Sequence, residues 1–308
     1  MIVDATRAER ASLTELADLE PDEVLALMDV DLPDYRDLYY RWERQQWKVQ
    51  DIDWTVDAEQ WADAFDDLEK RSFLWTNAQF YVGENAVTVT LAPYIDAAPR
   101  EEHRIFLTTQ IVDEARHTMF YDRFNEEVIG VEGKSMAARL AEQKIRLNAG
   151  YEKLFYELLP AASRALIDDP GNPDRFTEAI VMYHIIIEGT LALTGQKFVL
   201  EYLRRRDLLP GFRGGFTAVA RDESRHVNFG VRILKEACAA DPRQRKVIEN
   251  YLVEVLPTTF EVLEPPGGDW SYYEPVGYEP EEVIAFSTNS LEKRLRVIGV
   301  NSPLANLA

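Results

Sequence analysis

Two of the four histidines in this chain lie in nearly identical pentapeptides. Residues 113–117 read Asp-Glu-Ala-Arg-His, and residues 222–226 read Asp-Glu-Ser-Arg-His. On an α-helix, a glutamate and a histidine three residues apart share one face and lie one turn apart. A carboxylate oxygen and an imidazole nitrogen in that position can bind the same metal ion. The four candidate ligands are Glu114, His117, Glu223 and His226.

A lone glutamate in an apolar segment precedes each pentapeptide. Glu84 stands before the first and Glu188 before the second, each separated from it by enough residues for a helix, a turn and part of a returning helix. The complete pattern, a glutamate followed by Glu-x-x-His, occurs twice, which is typical of two-metal carboxylate sites inside four-helix bundles. Four carboxylates would neutralise two divalent ions. Oxygen and imidazole ligands suit iron and manganese, and the order of metal affinities alone does not choose between them.

An aspartate directly precedes each Glu-x-x-His pair. A carboxylate beside a metal-bound histidine commonly fixes the tautomer of that histidine through its second ring nitrogen. We therefore expect Asp113 and Asp222 each to orient a histidine, with the histidine of the opposite pair as a candidate. The alternative is an ordinary surface salt bridge with Arg116 or Arg225.

The segments that must position these residues have the sequence patterns of helices, and no segment alternates with the period of a strand. We expect a loop at 168–173 and a turn at Pro210–Gly211, and no low-complexity linker divides the chain. The sequence therefore predicts an all-α bundle forming one domain over 1–308, with the metal-binding core at about 65–240. The predicted helices cover about 34–50, 58–90, 101–128, 135–158, 173–206, 217–239, 243–262 and 280–298.

Composition excludes several classes of function. The chain has 34 Lys+Arg against 54 Asp+Glu, a net charge of -20, which repels nucleic acid and anionic membrane surfaces. The single cysteine, Cys238, favours a reducing compartment, and residues 1–9 lack the apolar stretch of a signal peptide. The most apolar segment, 179–193, contains His184 and Glu188 and is too short to span a bilayer. We expect a cytoplasmic protein without a membrane span.

The repeated pattern and three further segments carry a resemblance to a known family. At the repeated Glu…Glu-x-x-His residues the chain resembles the ribonucleotide reductase small-subunit superfamily, which has a ferritin-like fold. More narrowly, it looks like the ligand-binding oxidases of that group at Gly-Glu-Asn-Ala-Val-Thr (83–88) and from Tyr183 to Gly195. The last helix up to Gly299 also resembles that of the family. The resemblance covers roughly 65–299.

The resemblance implies a function that the spacing of residues alone does not. It implies a manganese/iron or di-iron cofactor, activation of dioxygen, a buried long-chain fatty acid and a homodimer. It also implies an ether cross-link between Val87 and Tyr183, made during oxygen activation. Without the resemblance, both residues would be interpreted as ordinary core residues.

Tyr121 keeps an alternative function open. It follows His117 by four residues, at the place of the radical tyrosine in many reductase subunits, so the chain could be the radical-generating small (beta) subunit of a ribonucleotide reductase. Tyr121 could equally be oxidised in a competing reaction, hydrogen-bond a ligand or simply pack. The short segment 301–308 after the last helix argues against the reductase subunit, which normally docks its partner through a longer tail. A non-enzymatic iron store is a third possibility, but such bundles are much shorter chains.

His184 has two interpretations. It precedes Glu188 by four residues, so a helix would place both on one face. It would then be a seventh ligand, as extra histidines are in arylamine N-oxygenases, or a hydrogen-bonded core histidine. We favour the second, because a buried imidazole is more often satisfied by a hydrogen bond than by a metal.

Overall fold

The computed structural model describes residues 10–27, 29–131 and 135–304. Within them the regular structure is helical and contains no β-strand, which confirms the predicted all-α fold class. The segment 1–9, on which the absence of a signal peptide was argued, lies outside the described residues, as do the terminal residues 305–308.

Fifteen α-helices occur in the part of the chain that the structure describes. They are α1 (Leu13–Ala17), α2 (Pro21–Leu27), α3 (Tyr35–Arg44), α4 (Thr55–Asp63), α5 (Asp67–Thr90), α6 (Ala92–Ala97), α7 (Glu101–Phe124), α8 (Met136–Lys144), α9 (Ala149–Lys153), α10 (Leu159–Asp168), α11 (Pro173–Ile180), α12 (Leu193–Arg206), α13 (Pro210–Ala240), α14 (Gln244–Glu261) and α15 (Pro280–Ile298). Three π-helical segments continue or join them, at Asn125–Ile129, Leu154–Leu158 and Val181–Ala192. Short 3-10 turns occur at Val49–Asp51, Pro266–Gly268 and Trp270–Tyr273.

Four long helices surround the site. Helix α5 packs along α7, α13 packs along the π-helical segment Val181–Ala192, and α7 also contacts α13. The π-helical segment joins α11 to α12, so that 173–206 forms one continuous helical rod, as predicted. By length and composition this rod could cross a membrane, but 83% of its apolar window is buried inside the protein. It is the central helix of the bundle.

The π-helical segment has a direct consequence for the site. It carries Tyr183 and Glu188, which are five residues apart; on a regular α-helix they would diverge by about 140° around the axis. The i→i+5 geometry brings residues at this spacing onto one face. Thr190 supports it, because its hydroxyl donates to the carbonyl of Ile185 at 2.7 Å. Both site residues therefore face the bundle interior.

The predicted helix 58–90 is wrong as a single element. It is two helices, α4 and α5, and α5 begins at a capping box in which the Asp66 side chain accepts from the backbone of Glu69 and the Glu69 side chain accepts from the backbone of Asp66. This reciprocal arrangement satisfies free N–H groups at a helix start. The predicted helices 34–50 and 135–158 are also interrupted, after Arg44 and after Lys144.

The predicted turn at Pro210–Gly211 is also wrong, because α13 begins there rather than near 217. The carboxylate of Asp57, on α4, accepts hydrogen bonds from the backbone N–H groups of Gly211 at 2.9 Å and Phe212 at 2.7 Å. A distant residue thus satisfies the N–H groups that a helix start leaves free. By contrast, α15 has the predicted bounds, 280–298.

Candidate metal centre

The six residues singled out from the sequence converge in the middle of the bundle. Two overlapping groups place potential ligand atoms within 4.8 Å of one another, and every member is buried. One group consists of Glu84, Glu114, His117 and Glu223, and the other of Glu114, Glu188, Glu223 and His226. Helix α5, helix α7, the π-helical segment and helix α13 each contribute at least one residue, as the doubled sequence pattern predicts.

Each histidine points its Nδ1 atom at three carboxylates. His117 Nδ1 lies 3.4 Å from Glu84 Oε2, 3.4 Å from Glu114 Oε2 and 3.3 Å from Glu223 Oε1. These are the separations of ligand atoms around a common centre rather than of single directed hydrogen bonds.

The second histidine repeats this arrangement. His226 Nδ1 lies 3.3 Å from Glu114 Oε1, 3.1 Å from Glu188 Oε1 and 3.4 Å from Glu223 Oε2. Glu114 and Glu223 therefore offer one oxygen to each histidine. The geometry suits two neighbouring ions that share these two carboxylates.

Several ligand atoms have no hydrogen-bond partner although they are buried. They are Glu114 Oε2, His117 Nδ1, Glu188 Oε2 and Glu223 Oε2. A buried polar atom without a partner is costly, and most such atoms in native proteins are satisfied. Two cations, one bound in each group, would give these atoms partners, so the residues present fit a two-metal centre.

The electrostatics of the metal-free cluster favour the same conclusion. Burial raises the pKa of Glu84 to about 8 and raises the pKa of Glu188 well above its usual value. Burial alone would lower the pKa of His117, but the charge of Glu84 and the hydrogen bond to Asp222 raise it well above its usual value. Without a metal, protons therefore hold the cluster together, and a bound cation would take their place.

The aspartate of each pentapeptide contacts the histidine of the other. Asp222 Oδ2 lies 3.2 Å from His117 Nε2, and Asp113 Oδ2 lies 3.2 Å from His226 Nε2. Each aspartate thus binds the histidine of the other pair. Because a carboxylate holds a proton on Nε2, Nδ1 is the nitrogen left for a metal.

The arginines of both pentapeptides complete this network. Arg225 donates to Asp222 Oδ1 and to Asp113 Oδ2, both at 2.8 Å. Arg116 lies 3.1 Å from Asp113 Oδ1 and 3.4 Å from Asp222 Oδ2. The salt bridges considered as an alternative therefore exist, but that of Arg225 is buried, that of Arg116 is partly buried, and both accompany the contacts with histidine. Two guanidinium groups neutralise the two aspartates, which leaves the four glutamates to balance two divalent ions.

His184 is connected to the candidate ligand Glu188 by two hydrogen bonds through Gln110. It is buried, its Nε2 lies 3.1 Å from Gln110 Oε1, and Gln110 Nε2 donates to Glu188 Oε1 at 2.8 Å. Burial lowers the pKa of His184 to about 3, so its imidazole is neutral. It belongs to neither ligand group and acts as a hydrogen-bonded core histidine that orients Glu188 through Gln110.

A long apolar cavity reaches the cluster. Along α5 it is lined at helical spacing from Glu69 through Phe80 and Glu84 to Val87, a distance of about 27 Å at the rise of an α-helix. Val87 and Tyr183 both line its inner end. The Tyr183 hydroxyl donates to Glu114 Oε1 at 2.7 Å, so this phenol touches a candidate metal ligand. The 3-10 turn Trp270–Tyr273 contributes residues to its outer end.

Tyr121 is buried next to the site without a hydrogen bond. Its hydroxyl has no partner among the described residues, and its ring stacks on Phe80 with centroids 5.9 Å apart. Burial raises its pKa well above the usual value, and the charges of Glu84 and Glu223 raise it further. Of the roles considered from the sequence, the structure shows packing.

Several residues around the centre were not identified from the sequence. Trp47 Nε1 donates to Asp222 Oδ2 at 2.8 Å, and Trp42 Nε1 donates to Asp113 Oδ1 at 3.1 Å. Their sequence positions, far before the pentapeptides, give no signal of these contacts. Gln110 could have been identified from the sequence, because it stands one helical turn before Glu114 on the same face.

Fold and site together define a helical-bundle protein with a carboxylate-rich candidate centre for two metal ions. Residues 25–303 match the family "Ribonucleotide reductase, small chain", and the chain belongs to this family. Its structure is similar to solved structures of R2-like ligand-binding oxidase with a reconstituted Mn/Fe cofactor. A valine-to-isoleucine variant and a tyrosine-to-phenylalanine variant, both anaerobically reconstituted, each have a TM-score of 0.74 and 26% identity, covering 88% of this chain and 95% of theirs. An aerobically reconstituted valine-to-isoleucine variant has a TM-score of 0.75 and 25% identity, covering 88% of this chain and 96% of its own.

Proposed function

We propose that the chain is an R2-like ligand-binding oxidase, which activates dioxygen at two metal ions, manganese with iron or two irons, beside a buried apolar ligand. The observation that carries the proposal is that one cavity joins the ligand cluster to Val87 and Tyr183. The similarity to oxidases with an Mn/Fe cofactor supports the choice of metals.

Each residue of the cluster has a specific role in this proposal. One ion would be held by Glu84 and His117 and the other by Glu188 and His226, while Glu114 and Glu223 would bridge them. When bound, the two ions supply the redox chemistry that reduces dioxygen. The chain itself supplies the orientation of the ligands and a site from which the apolar wall excludes water.

The cavity selects the second reactant. Its wall includes Phe155, Ile187, Leu191 and Val199, which would bury a hydrocarbon chain favourably. Its lining residues on α5, from Glu69 to Val87, span about 27 Å along the helix axis, and we propose that the cavity takes a long-chain fatty acid or a similar ligand. We propose that such a ligand lies with one end near the cluster and exposes its C–H bonds to oxidation there.

Tyr183 and Val87 would form the ether cross-link. The phenol O–H and the Val87 Cβ–H bond break, one C–O bond forms, and two electrons and two protons leave the pair. Dioxygen is the oxidant that accepts the electrons. The Tyr183 hydrogen bond to Glu114 Oε1 provides the first acceptor for the phenolic proton. The Val87 Cβ–H bond is tertiary and is therefore weaker than the C–H bonds of the two methyl groups of the same side chain.

We also propose a homodimer in a reducing, cytoplasmic compartment. Helix α7 exposes Ile105, Val112 and Met119, which are 52%, 48% and 45% exposed and repeat every seven residues along its outer face. Such a stripe is suited to packing against a second helix. The buried free thiol of Cys238 fits a reducing environment.

Removal of a shared ligand tests the proposal. Glu114→Ala or Glu223→Ala is expected to lose bound metal and, with it, all oxygen consumption. Elemental analysis measures the metal, and an oxygen electrode measures the oxygen consumption. Retention of two ions per chain in either variant would refute the assignment. An iron store would instead bind many ions per chain.

The radical-generating reductase subunit is the alternative. The buried phenol of Tyr121 beside Glu84 and Glu223 and the name of the matching family favour it, but the similar solved structures are oxidases. A stable tyrosyl radical lost in Tyr121→Phe, without a bound lipid, would support the alternative.

A further inference from the structure

One wall at the outer end of the cavity is formed by a segment that has no buried residue. Residues 266–279, which we call the flap, join α14 to α15 and contain two short 3-10 turns. Every residue of the flap is partly or fully exposed, yet four of them line the cavity. They are Tyr272, Tyr273, Pro275 and Val276. The flap therefore lies between the outer end of the cavity and solvent.

The helices around the same end of the cavity are anchored in the core. Glu69 and Trp75 on α5 and Tyr202 on α12 line the cavity and are buried. The Tyr202 hydroxyl also donates to Glu69 Oε1 at 2.9 Å, which ties the two helices together. Segments with few buried contacts open at the lowest free-energy cost. Of the elements around this opening, the flap is therefore the one that moves most easily.

Glycines in the left-handed conformation lie near both ends of the flap. The φ angles of Gly267, Gly268 and Gly277 are +68°, +70° and +72°. A Cβ atom added at Gly267 or Gly268 would meet no atom within 4 Å, so these two positions need glycine for the backbone conformation and not for packing. Hinges are a few residues at the ends of a moving segment that absorb large changes in φ and ψ. The flap has such positions on both sides of its aromatic part.

Arg71 on α5 makes the main side-chain contact that holds the flap closed. Its guanidinium lies 4.5 Å from the centre of the Tyr272 ring and 3.2 Å from Asp269 Oδ2, and it donates to Ser271 Oγ at 2.6 Å. The side chains of Arg71 and Asp269 are 43% and 46% exposed, and an ion pair in such a position contributes little to stability. Arg71 thus fixes the closed position of the flap through contacts that break at low cost.

Two hydrogen bonds to backbone carbonyl groups complete the attachment. The Ser72 hydroxyl donates to the carbonyl of Tyr272 at 2.7 Å, and Arg205 donates to the carbonyl of Val276 at 2.6 Å. Water can replace both donors when the flap moves outward, so the net cost of breaking each bond is small. The closed flap is therefore held by polar surface contacts and by the rings of Tyr272 and Tyr273, which lie 5.5 Å and 5.7 Å from the Trp75 ring, centroid to centroid.

We infer that the flap is the gate through which the apolar ligand enters and leaves the cavity, and that Arg71 holds this gate closed. This inference rests on the proposed function, because it requires an apolar ligand in the cavity. The flap turns outward about its glycines, Tyr272 and Tyr273 leave the cavity wall, and a hydrocarbon chain passes between α5 and α12. When the flap closes again, the two rings return to Trp75 and exclude water from the chain.

The rates of ligand exchange test this inference, with palmitate as the probe. The full chain, stripped of lipid and loaded with manganese and iron, is kept without oxygen so that the ligand is not consumed. Uptake of radiolabelled palmitate and its release into excess unlabelled palmitate are followed by rapid desalting. In Arg71→Ala we expect both rates to rise severalfold and the equilibrium affinity to change little, because Arg71 contacts the flap and does not line the cavity. The matched control is Arg175→Ala, which removes an exposed ion pair with Glu178 on α11.

Ionic strength provides a second measurement that needs no variant. Raising the salt concentration from about 0.1 M to about 1 M shortens the screening length from about 10 Å to about 3 Å and weakens the pair of Arg71 with Asp269. We expect palmitate to exchange faster from the wild-type protein at high salt, and at a salt-independent rate from Arg71→Ala. Asp269→Asn retains the hydrogen-bonding shape of this side chain but not its charge, and its rates should lie between those of the other two proteins.

Several outcomes would overturn the inference. Equal exchange rates in wild type, Arg71→Ala and Asp269→Asn would show that the flap does not control entry. A loss of affinity in Arg71→Ala without faster uptake would show that Arg71 supports the binding site and not a gate. If wild-type protein that carries both ions retains no palmitate, the proposed lipid ligand is refuted and this inference with it, whereas retention with unchanged rates in the variants refutes this inference alone.

Discussion

Asp222 hydrogen-bonds His117, the histidine of the other pentapeptide, with 3.2 Å between its Oδ2 and the ring Nε2. The reciprocal contact of Asp113 with His226 ties α7 to α13 on both sides of the cluster. The repeated Asp-Glu-x-Arg-His sequence is therefore one structural unit, in which each copy positions the metal-facing nitrogen of the other.

Neutralising one of these aspartates should weaken metal binding while leaving the ligands in place. In Asp222→Asn, the amide no longer holds the Nε2 proton of His117 as a carboxylate does. We expect metal affinity to fall by roughly 10–100-fold, the usual effect of removing such a contact. Competition with a chelator measures the affinity, and Asp241→Asn, at a partly exposed aspartate outside both ligand groups, serves as the control. Equal affinities in the two variants would contradict the role of Asp222.

Glu114 and Glu223 belong to both ligand groups. Substituting one of them should therefore reduce the metal content more than substituting Glu84 or Glu188. Glu84→Gln and Glu188→Gln each remove a ligand from one group only, so each variant is expected to retain one ion per chain. Glu114→Gln removes a ligand from both groups and should lose both ions. Elemental analysis after desalting distinguishes these outcomes, and loss of a single ion in Glu114→Gln would contradict the bridging arrangement.

Metal binding should release protons and become stronger as the pH rises. The pKa values of Glu84 (about 8) and of Glu188, His117 and His226 are raised in the metal-free cluster, so protons must leave before the ions bind. Acid therefore competes with the metal. The apparent metal affinity is expected to increase from about pH 6 to about pH 8, as the pH approaches the raised pKa of Glu84. Titration in weakly buffered solution measures the released protons. A pH-independent affinity with no proton release would show that the cluster is already ionised.

Blocking the cavity should separate ligand binding from metal binding. Val199 lines the cavity on α12, away from the cluster, so Val199→Phe is expected to exclude a long apolar ligand and to retain both ions. The measurement is mass spectrometry of lipid extracted from the purified protein, beside metal analysis. Val253→Phe, at a residue that is 46% exposed, is the matched control. An undiminished lipid content in Val199→Phe would place the ligand elsewhere.

The sequence predicted the chemistry of the centre better than its surroundings. The six candidate ligands could be found because Glu-x-x-His has a fixed helical spacing and occurs twice. The break before α5 could have been predicted from Asp66 and Glu69, which form a capping box. The start of α13 could not, because Asp57 caps it from another helix. The same limitation applies to Trp42, whose contact with Asp113 depends on tertiary packing.

The π-helical segment illustrates what could be predicted from the sequence and what required the structure. Sequence pattern placed Glu188 in an apolar helix, and the family resemblance drew attention to Tyr183. Only the structure shows how a spacing of five residues lets both face the cluster, through the i→i+5 geometry that Thr190 supports.

The most direct test of the proposed oxidase is peptide mass spectrometry after loading with manganese and iron in air. We expect the peptides containing Val87 and Tyr183 to be joined, with a mass two hydrogens below their sum. Tyr183→Phe should retain its metals and lose the joined species. Separate, unmodified peptides from wild-type protein that carries both ions would contradict the account, and a joined peptide that persists in Tyr183→Phe would contradict the role of this phenol.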